Sequence, residues 1–133
     1  MEDTMTPELK YLAMISVFTA VMWMPYVLNI LSKNKIGDAV GYPDTPLVMA
    51  PWAERLKKAH YNAVENLVVF AALVLIANAM DISNNATTSA AAAFFWARLV
   101  HAGAYAAGIP WIRTLAFAVG WGSIICIAWQ ILS

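Results

Sequence analysis

The sequence predicts an all-α membrane protein: one domain, residues 1–133, folded as an up-down bundle of four transmembrane helices. Three observations carry that expectation. Hydrophobic residues make up 62% of the chain and charged residues 12%, against roughly 45–50% and about 25% in soluble domains. A soluble domain this small exposes too much of its surface to hide so much apolar area. Mostly apolar stretches of about 20 residues, the length that crosses a bilayer, fall at residues 11–32, 59–80, 86–107 and 109–132. Short turn-forming segments then separate the later stretches.

The first span, Tyr11 to Ser32, carries no charge. Its length, the acidic residues before it and the lack of an A-x-A site after it read as a retained span, not a secretory signal. Residues 33–58 form the one long polar loop; "GYPD" and "TPLVMAP" predict irregular chain with a few turns. The second span contains a single charge, Glu65. "DISNN" supplies turn residues before the third span, which carries Arg98 and His101, and "GIP" breaks the chain before the fourth, which carries Arg113. Pro110 suits the first turn of a helix, where its missing N–H costs nothing.

Charge asymmetry predicts the topology. The first loop and its flanks hold Lys33, Lys35, Arg55, Lys57 and Lys58; the other side holds Lys10 beside Glu2, Asp3, Glu8 and Asp81. The positive-inside rule places that loop in the cytosol and both termini on the opposite side. Several functions are excluded. Zero formal net charge offers no field for nucleic acid. Cys126 is the single cysteine, so no internal disulfide forms, and it reads as a small buried apolar residue. The two histidines lie on different spans without HxxxH or ExxH spacing, so no metal site is expected. There is no Ser–His–Asp grouping and no phosphate-binding loop.

Ionisable groups inside a membrane are costly and mark function. At about 1.5 Å per residue, Asn62 and Glu65 lie within about 10 Å of the cytosolic end of the second span. His101, Tyr105 and Arg113 reach the same depth from the third and fourth spans, and Arg98 sits slightly deeper. Glu54, Lys58, Tyr61, Asn62 and Glu65 share an arc of about 100° on the second span, and Arg98, His101 and Tyr105 share about 60° on the third. His60 and Asn66 point elsewhere; His60 reads as a helix-contact residue. Lys58 and Arg113 as cations, Glu65 as an anion, and Asn62, His101 and Tyr105 as hydrogen-bonding groups suit a small zwitterion with carboxylates and an amine. Structural roles stay open beside this one. Arg98 and Glu65 would pair as a buried salt bridge, and Asn62 would join helices. Tyr105 and Trp111 would sit at the membrane interface, Lys57 and Lys58 would meet lipid headgroups, and Ala90 to Ala93 would let helices pack closely.

"ERLKKAHYNAVE" (54–65) resembles the signature E-R-x-x-R-A-x-x-N-x-x-E of the membrane-associated proteins in eicosanoid and glutathione metabolism, the MAPEG family. "ARLVHAGAY" and "IPWIRTLAF" resemble its later helical segments, and the likeness runs over about residues 10 to 132. The resemblance implies a homotrimer with glutathione, as co-substrate, in a cytosol-facing pocket between subunits. By position it implies that Lys58, Asn62, Glu65, His101 and Tyr105 bind glutathione and that Arg113 is catalytic, stabilising the thiolate. Arg98, Tyr61 and Thr114 would support them, and Lys33 or Lys35 would replace a basic residue near the end of the first span. The implied activity is transfer to lipophilic electrophiles, or reduction of lipid hydroperoxides, drawn from the bilayer. Lys58 stands where the family usually has arginine, and Phe117 where some members have tyrosine. Some members present lipid without glutathione chemistry, so a non-catalytic lipid-binding or accessory subunit is the alternative, and a purely structural bundle a third.

Overall fold

A computed structural model describes residues 4–133; Glu2 and Asp3, counted above among the acidic flank, lie outside the described residues. The regular elements are α1 (Pro7–Val21), α2 (Trp23–Lys33), α3 (Ile36–Val40), α4 (Pro51–Ala79), α5 (Asn85–Ala107) and α6 (Pro110–Leu132). No strand occurs among the described residues. Three helical stretches, Pro7–Lys33, Pro51–Ala79 and Pro110–Leu132, are long and apolar enough to cross a membrane. The alanine-rich α5, which carries Arg98 and His101, is the other long helix and completes the bundle.

The first stretch is two helices because of Pro25. It has no N–H for the carbonyl of Val21, and its ring crowds that carbonyl. The ladder therefore slips at Met22, whose N–H reaches Thr19 O at 3.4 Å. The hydroxyl of Thr19 turns back to Ile15 O at 2.8 Å.

The long loop is shorter and more ordered than expected. Helix α4 starts at Pro51, eight positions before the predicted 59, because Ala53, Ala59 and Ala63 form one buried stripe that turns Glu54 and Lys58 outward. Its 29 residues extend about 44 Å at about 1.5 Å each, beyond a hydrocarbon core of about 30 Å. Asn29 of α2 and Asn34, which caps the C-terminus of α2, pin the loop. Asn34 Nδ2 donates to Val48 O at 2.8 Å, and Asn34 Oδ1 accepts from Val48 N at 3.0 Å. Asn29 Oδ1 accepts from Ala50 N at 2.9 Å.

Helix α5 is central, packed against α1, α4 and α6. Ala90, Ala91, Ala97, Ala102 and Ala104 are buried, and such small residues let helices close on one another in lipid. The core is built on Phe70 and Phe94, stacked with centroids 3.9 Å apart, and enclosed by Ile15, Val74, Ile124 and Ile127. Cys126 is half-buried against this cluster. A second cluster joins Met22 to Ala59, Ala63 and Ala102. Beside it, Tyr26 and His60 Nδ1 share a 2.7 Å hydrogen bond between α2 and α4, so His60 is a helix-contact residue.

At the other end, a capping box starts α5: Asn84 Oδ1 accepts from Thr87 N at 3.0 Å, and Thr87 Oγ1 accepts from Asn84 N at 2.9 Å. Glu8, which the sequence alone places among the flanking charges, is 4% exposed. Its carboxylate accepts from Thr87 Oγ1 at 2.6 Å, Thr88 Oγ1 at 2.9 Å and Ser83 Oγ at 3.0 Å. An anion at the start of a helix also complements the helix dipole. Glu8→Ala orphans these hydroxyls and should cost about 2–3 kcal/mol. Lys10→Ala, at an exposed position, should stay within about 0.5 kcal/mol. Thermal unfolding midpoints in detergent check both.

Candidate functional site

The site is organised by the turn between α5 and α6. Gly108 adopts φ 77°, a left-handed conformation that glycine takes without a Cβ penalty. With it, Ile109 N reaches Ala104 O at 2.9 Å and Gly108 N reaches Tyr105 O at 3.1 Å, which satisfies the final carbonyls of α5. The next free carbonyl, Ala106 O, accepts from Arg55 Nε of α4 at 2.9 Å. Pro110 then opens α6. This geometry sets the first turn of α6 beside the last turn of α5. The Arg113 guanidinium lies 5.0 Å from the centroid of the Tyr105 ring, within cation–π range. One turn back, His101 meets Tyr105 edge-on, with centroids 5.6 Å apart.

Asn62 of α4, His101 and Tyr105 of α5, and Arg113, Thr114 and Phe117 of α6 line a cavity of about 210 Å³. A second cavity of about 270 Å³ lies between Arg55 and the α5–α6 turn and shares Tyr105 and Arg113 with the first. Each alone is smaller than the roughly 300–1,000 Å³ typical of ligand sites. Outside, an apolar groove of about 360 Å³ runs between α5 and α6 along Trp96, Val100, Ile112, Leu115 and Val119.

Asn62, His101, Tyr105, Arg113 and Thr114 therefore come together in one chain. Arg98 stands behind them, 3% exposed, and its Nη2 donates to Asn62 Oδ1 at 2.7 Å. Arg98 thus pairs with Asn62 and not with Glu65, contrary to the salt-bridge reading. Glu65 lies about 60° further round α4, on the outward side. Lys58, Tyr61 and Glu65 are all exposed and none lines the cavity, so the polar arc of α4 does not close onto α5 within a single chain. Lys33 and Lys35 are also exposed, and Trp111 is 78% exposed. Asn66, expected to point away, belongs to the Asn62 group: its Nδ2 donates to Asn62 O at 2.8 Å and reaches Asn62 Oδ1 at 3.3 Å. Arg98 Nε and His101 Nδ1 are buried with no protein partner.

Sequence reasoning gave Arg55 a role in topology alone. The signal was present in its spacing: Arg55 and Asn62 are seven residues apart, hence on one helical face, and that face meets α5.

A model described as the MAPEG family matches residues 12–133. The chain belongs to the MAPEG family. No curated protein and no solved structure gives a match. MAPEG membership, together with the three apolar helices, makes the chain an integral membrane protein with a role of the general glutathione-related or eicosanoid-metabolising kind. In this MAPEG chain the α5–α6 turn is the element that aligns Arg113 with Tyr105. Gly108→Ala should destabilise by about 1 kcal/mol, since a Cβ is strained at positive φ, although it would meet Arg55 Cζ only in ordinary contact at 3.4 Å. Gly103→Ala, with open space around its Cβ, should instead stabilise α5 by about 0.5–1 kcal/mol. Unfolding midpoints of opposite sign check the pair.

Proposed function

We propose that this MAPEG member is a glutathione-dependent membrane transferase or peroxidase. It acts on lipophilic electrophiles or lipid hydroperoxides, works as a homotrimer, and opens its polar cavity toward the cytosol, on the side of the α2–α4 loop. The carrying observation is that Arg113 is held over Tyr105 at a cavity whose wall also includes Asn62 and His101.

The donor set fits glutathione, which brings two carboxylates, an amine and a thiol. A free thiol with a pKa of about 8.5 is only a few per cent thiolate at neutral pH. A guanidinium beside the sulfur favours the charged form, and a pKa lowered by about two would make most of it reactive. Arg113 takes that role in the proposal, Asn62 holds the peptide, Glu65 the amine, and Lys58 a carboxylate without the bidentate fork of an arginine. Phe117 brings no hydroxyl. The apolar groove between α5 and α6, which borders Arg113 through Ile112, supports delivery of a lipophilic second substrate.

The outward face of α4 supports the trimer. Tyr61, Val64 and Val68 are 57%, 45% and 64% exposed, and Glu65 is exposed among them. A carboxylate facing lipid is costly. A neighbouring copy would cover it and would complete the pocket with Lys58, Tyr61 and Glu65.

The second reading is a non-catalytic lipid-binding subunit. A wholly apolar groove of about 490 Å³ between α1 and α5, along Met14, Val17, Phe95 and Leu99, favours it. Calorimetry with glutathione separates the two. Wild-type protein should bind at millimolar concentration or below, and Glu65→Gln should weaken binding about tenfold, the equivalent of about 1.4 kcal/mol. Arg113→Ala should abolish the thiolate absorbance of bound glutathione. Absence of any binding heat at millimolar glutathione defeats the enzyme reading. Native mass in mild detergent should be three times that of the 14.6 kDa chain; a monomer defeats the trimer.

A further inference from the structure

The hydrogen bond between Arg98 and Asn62 carries chemical information beyond a helix contact. A guanidinium has donors and no acceptor. The atom that Asn62 turns to Arg98 Nη2 at 2.7 Å must therefore be its oxygen. The reversed amide would set an NH₂ group against a buried guanidinium and leave both without an acceptor. Asn66 adds a second donor on the same oxygen, from Nδ2 at 3.3 Å, while the same nitrogen is anchored on Asn62 O at 2.8 Å. Asn62 Nδ2 has no hydrogen-bond partner among the described residues, and Asn62 forms part of the cavity wall while Arg98 does not.

We infer that Arg98 is a positioning residue that locks the Asn62 carboxamide nitrogen-outward, so that the ligand group seated on Asn62 is a hydrogen-bond acceptor, a carbonyl or carboxylate oxygen. Two features of the wall agree with this. Arg113 is also a pure donor. Thr114 spends its hydroxyl hydrogen on Pro110 O at 2.9 Å, so its oxygen is the acceptor there. Acceptor atoms of the ligand are sorted toward Asn62 and Arg113, and donor atoms toward Thr114. With glutathione as the ligand, which rests on the reading above, Asn62 takes a peptide or carboxylate oxygen and not the amine or a peptide N–H.

The test uses the full chain in detergent, with thermal unfolding and glutathione calorimetry as separate readouts. Asn62→Asp keeps an oxygen for Arg98 and removes the donor. Its unfolding midpoint should match wild type or exceed it, while glutathione affinity falls at least about tenfold. Asn62→Leu leaves Arg98 without an acceptor and should lose both stability and affinity. Arg98→Met removes the buried charge and leaves no uncompensated charge behind, because Asn62 is neutral and its oxygen keeps the Asn66 donor. It frees the amide to rotate, so affinity should fall several-fold without loss of stability. Arg98→Lys, which still only donates, should restore much of the affinity. The double variant Arg98→Met/Asn62→Asp should bind no more weakly than Asn62→Asp alone. Wild-type affinity in Asn62→Asp or in Arg98→Met overturns the inference. If the wild type itself binds no glutathione, the glutathione reading falls, and the lock is judged on stability alone. Loss of stability in Asn62→Leu but not in Asn62→Asp then supports the lock, and equal stability of the two overturns it.

Discussion

A polar group carried into an apolar bundle must bring its partner with it, and this structure depends on that constraint at three points. Arg98, nearly inaccessible at mid-helix, is held by Asn62 Oδ1. Glu8, equally buried, is held by three hydroxyls at the start of α5. Ala106 O, a free carbonyl in the last turn of α5, is held by Arg55. Two of these pairings join α5 to α4 and the third joins it to α1, so the helix with the most buried polar residues is also the one that organises the fold. Lipid offers no competing hydrogen bonds, and these pairings therefore discriminate sharply between one helix arrangement and another.

The alanines of α5 make this arrangement possible. With Ala90, Ala91, Ala97, Ala102 and Ala104 buried, three helices approach one axis closely enough for short polar side chains to meet. Asn62 reaches Arg98 across that contact, and the same closeness brings Tyr105 under Arg113. Larger residues on these faces would separate the helices, and the polar groups would be left facing apolar surface.

Packing and chemistry divide along the length of the bundle. One half is the Phe70–Phe94 stack and its aliphatic neighbours. The other half carries the cavity, the two buried nitrogens without protein partners, Arg98 Nε and His101 Nδ1, and the outward Glu65. A single chain satisfies the first half and leaves the second open. That asymmetry is what a site shared between copies requires, and it is why the homotrimer and the glutathione pocket are proposed together.

The sequence by itself determined that this is a helical membrane bundle, where its later turns fall, and which residues carry polar chemistry at one depth. Hydropathy over about 20 residues and a turn sequence such as "GIP" are local properties, readable without knowing what packs on what. Periodicity also grouped Arg98, His101 and Tyr105 on one face. Only the tertiary structure decided which faces meet. Lys58, Tyr61, Asn62 and Glu65 share an arc of α4, yet Asn62 alone reaches α5, because the buried stripe of Ala53, Ala59 and Ala63 sets the rotation of that helix. The same rotation brought in Asn66 and Arg55, gave Arg98 to Asn62 instead of Glu65, and left Glu65 on the outside. Glu8 turned from flanking charge to buried anchor because Ser83, Thr87 and Thr88, distant in sequence, converge on it. Faces follow from spacing along one helix, but partners follow from packing between helices, which no single segment encodes.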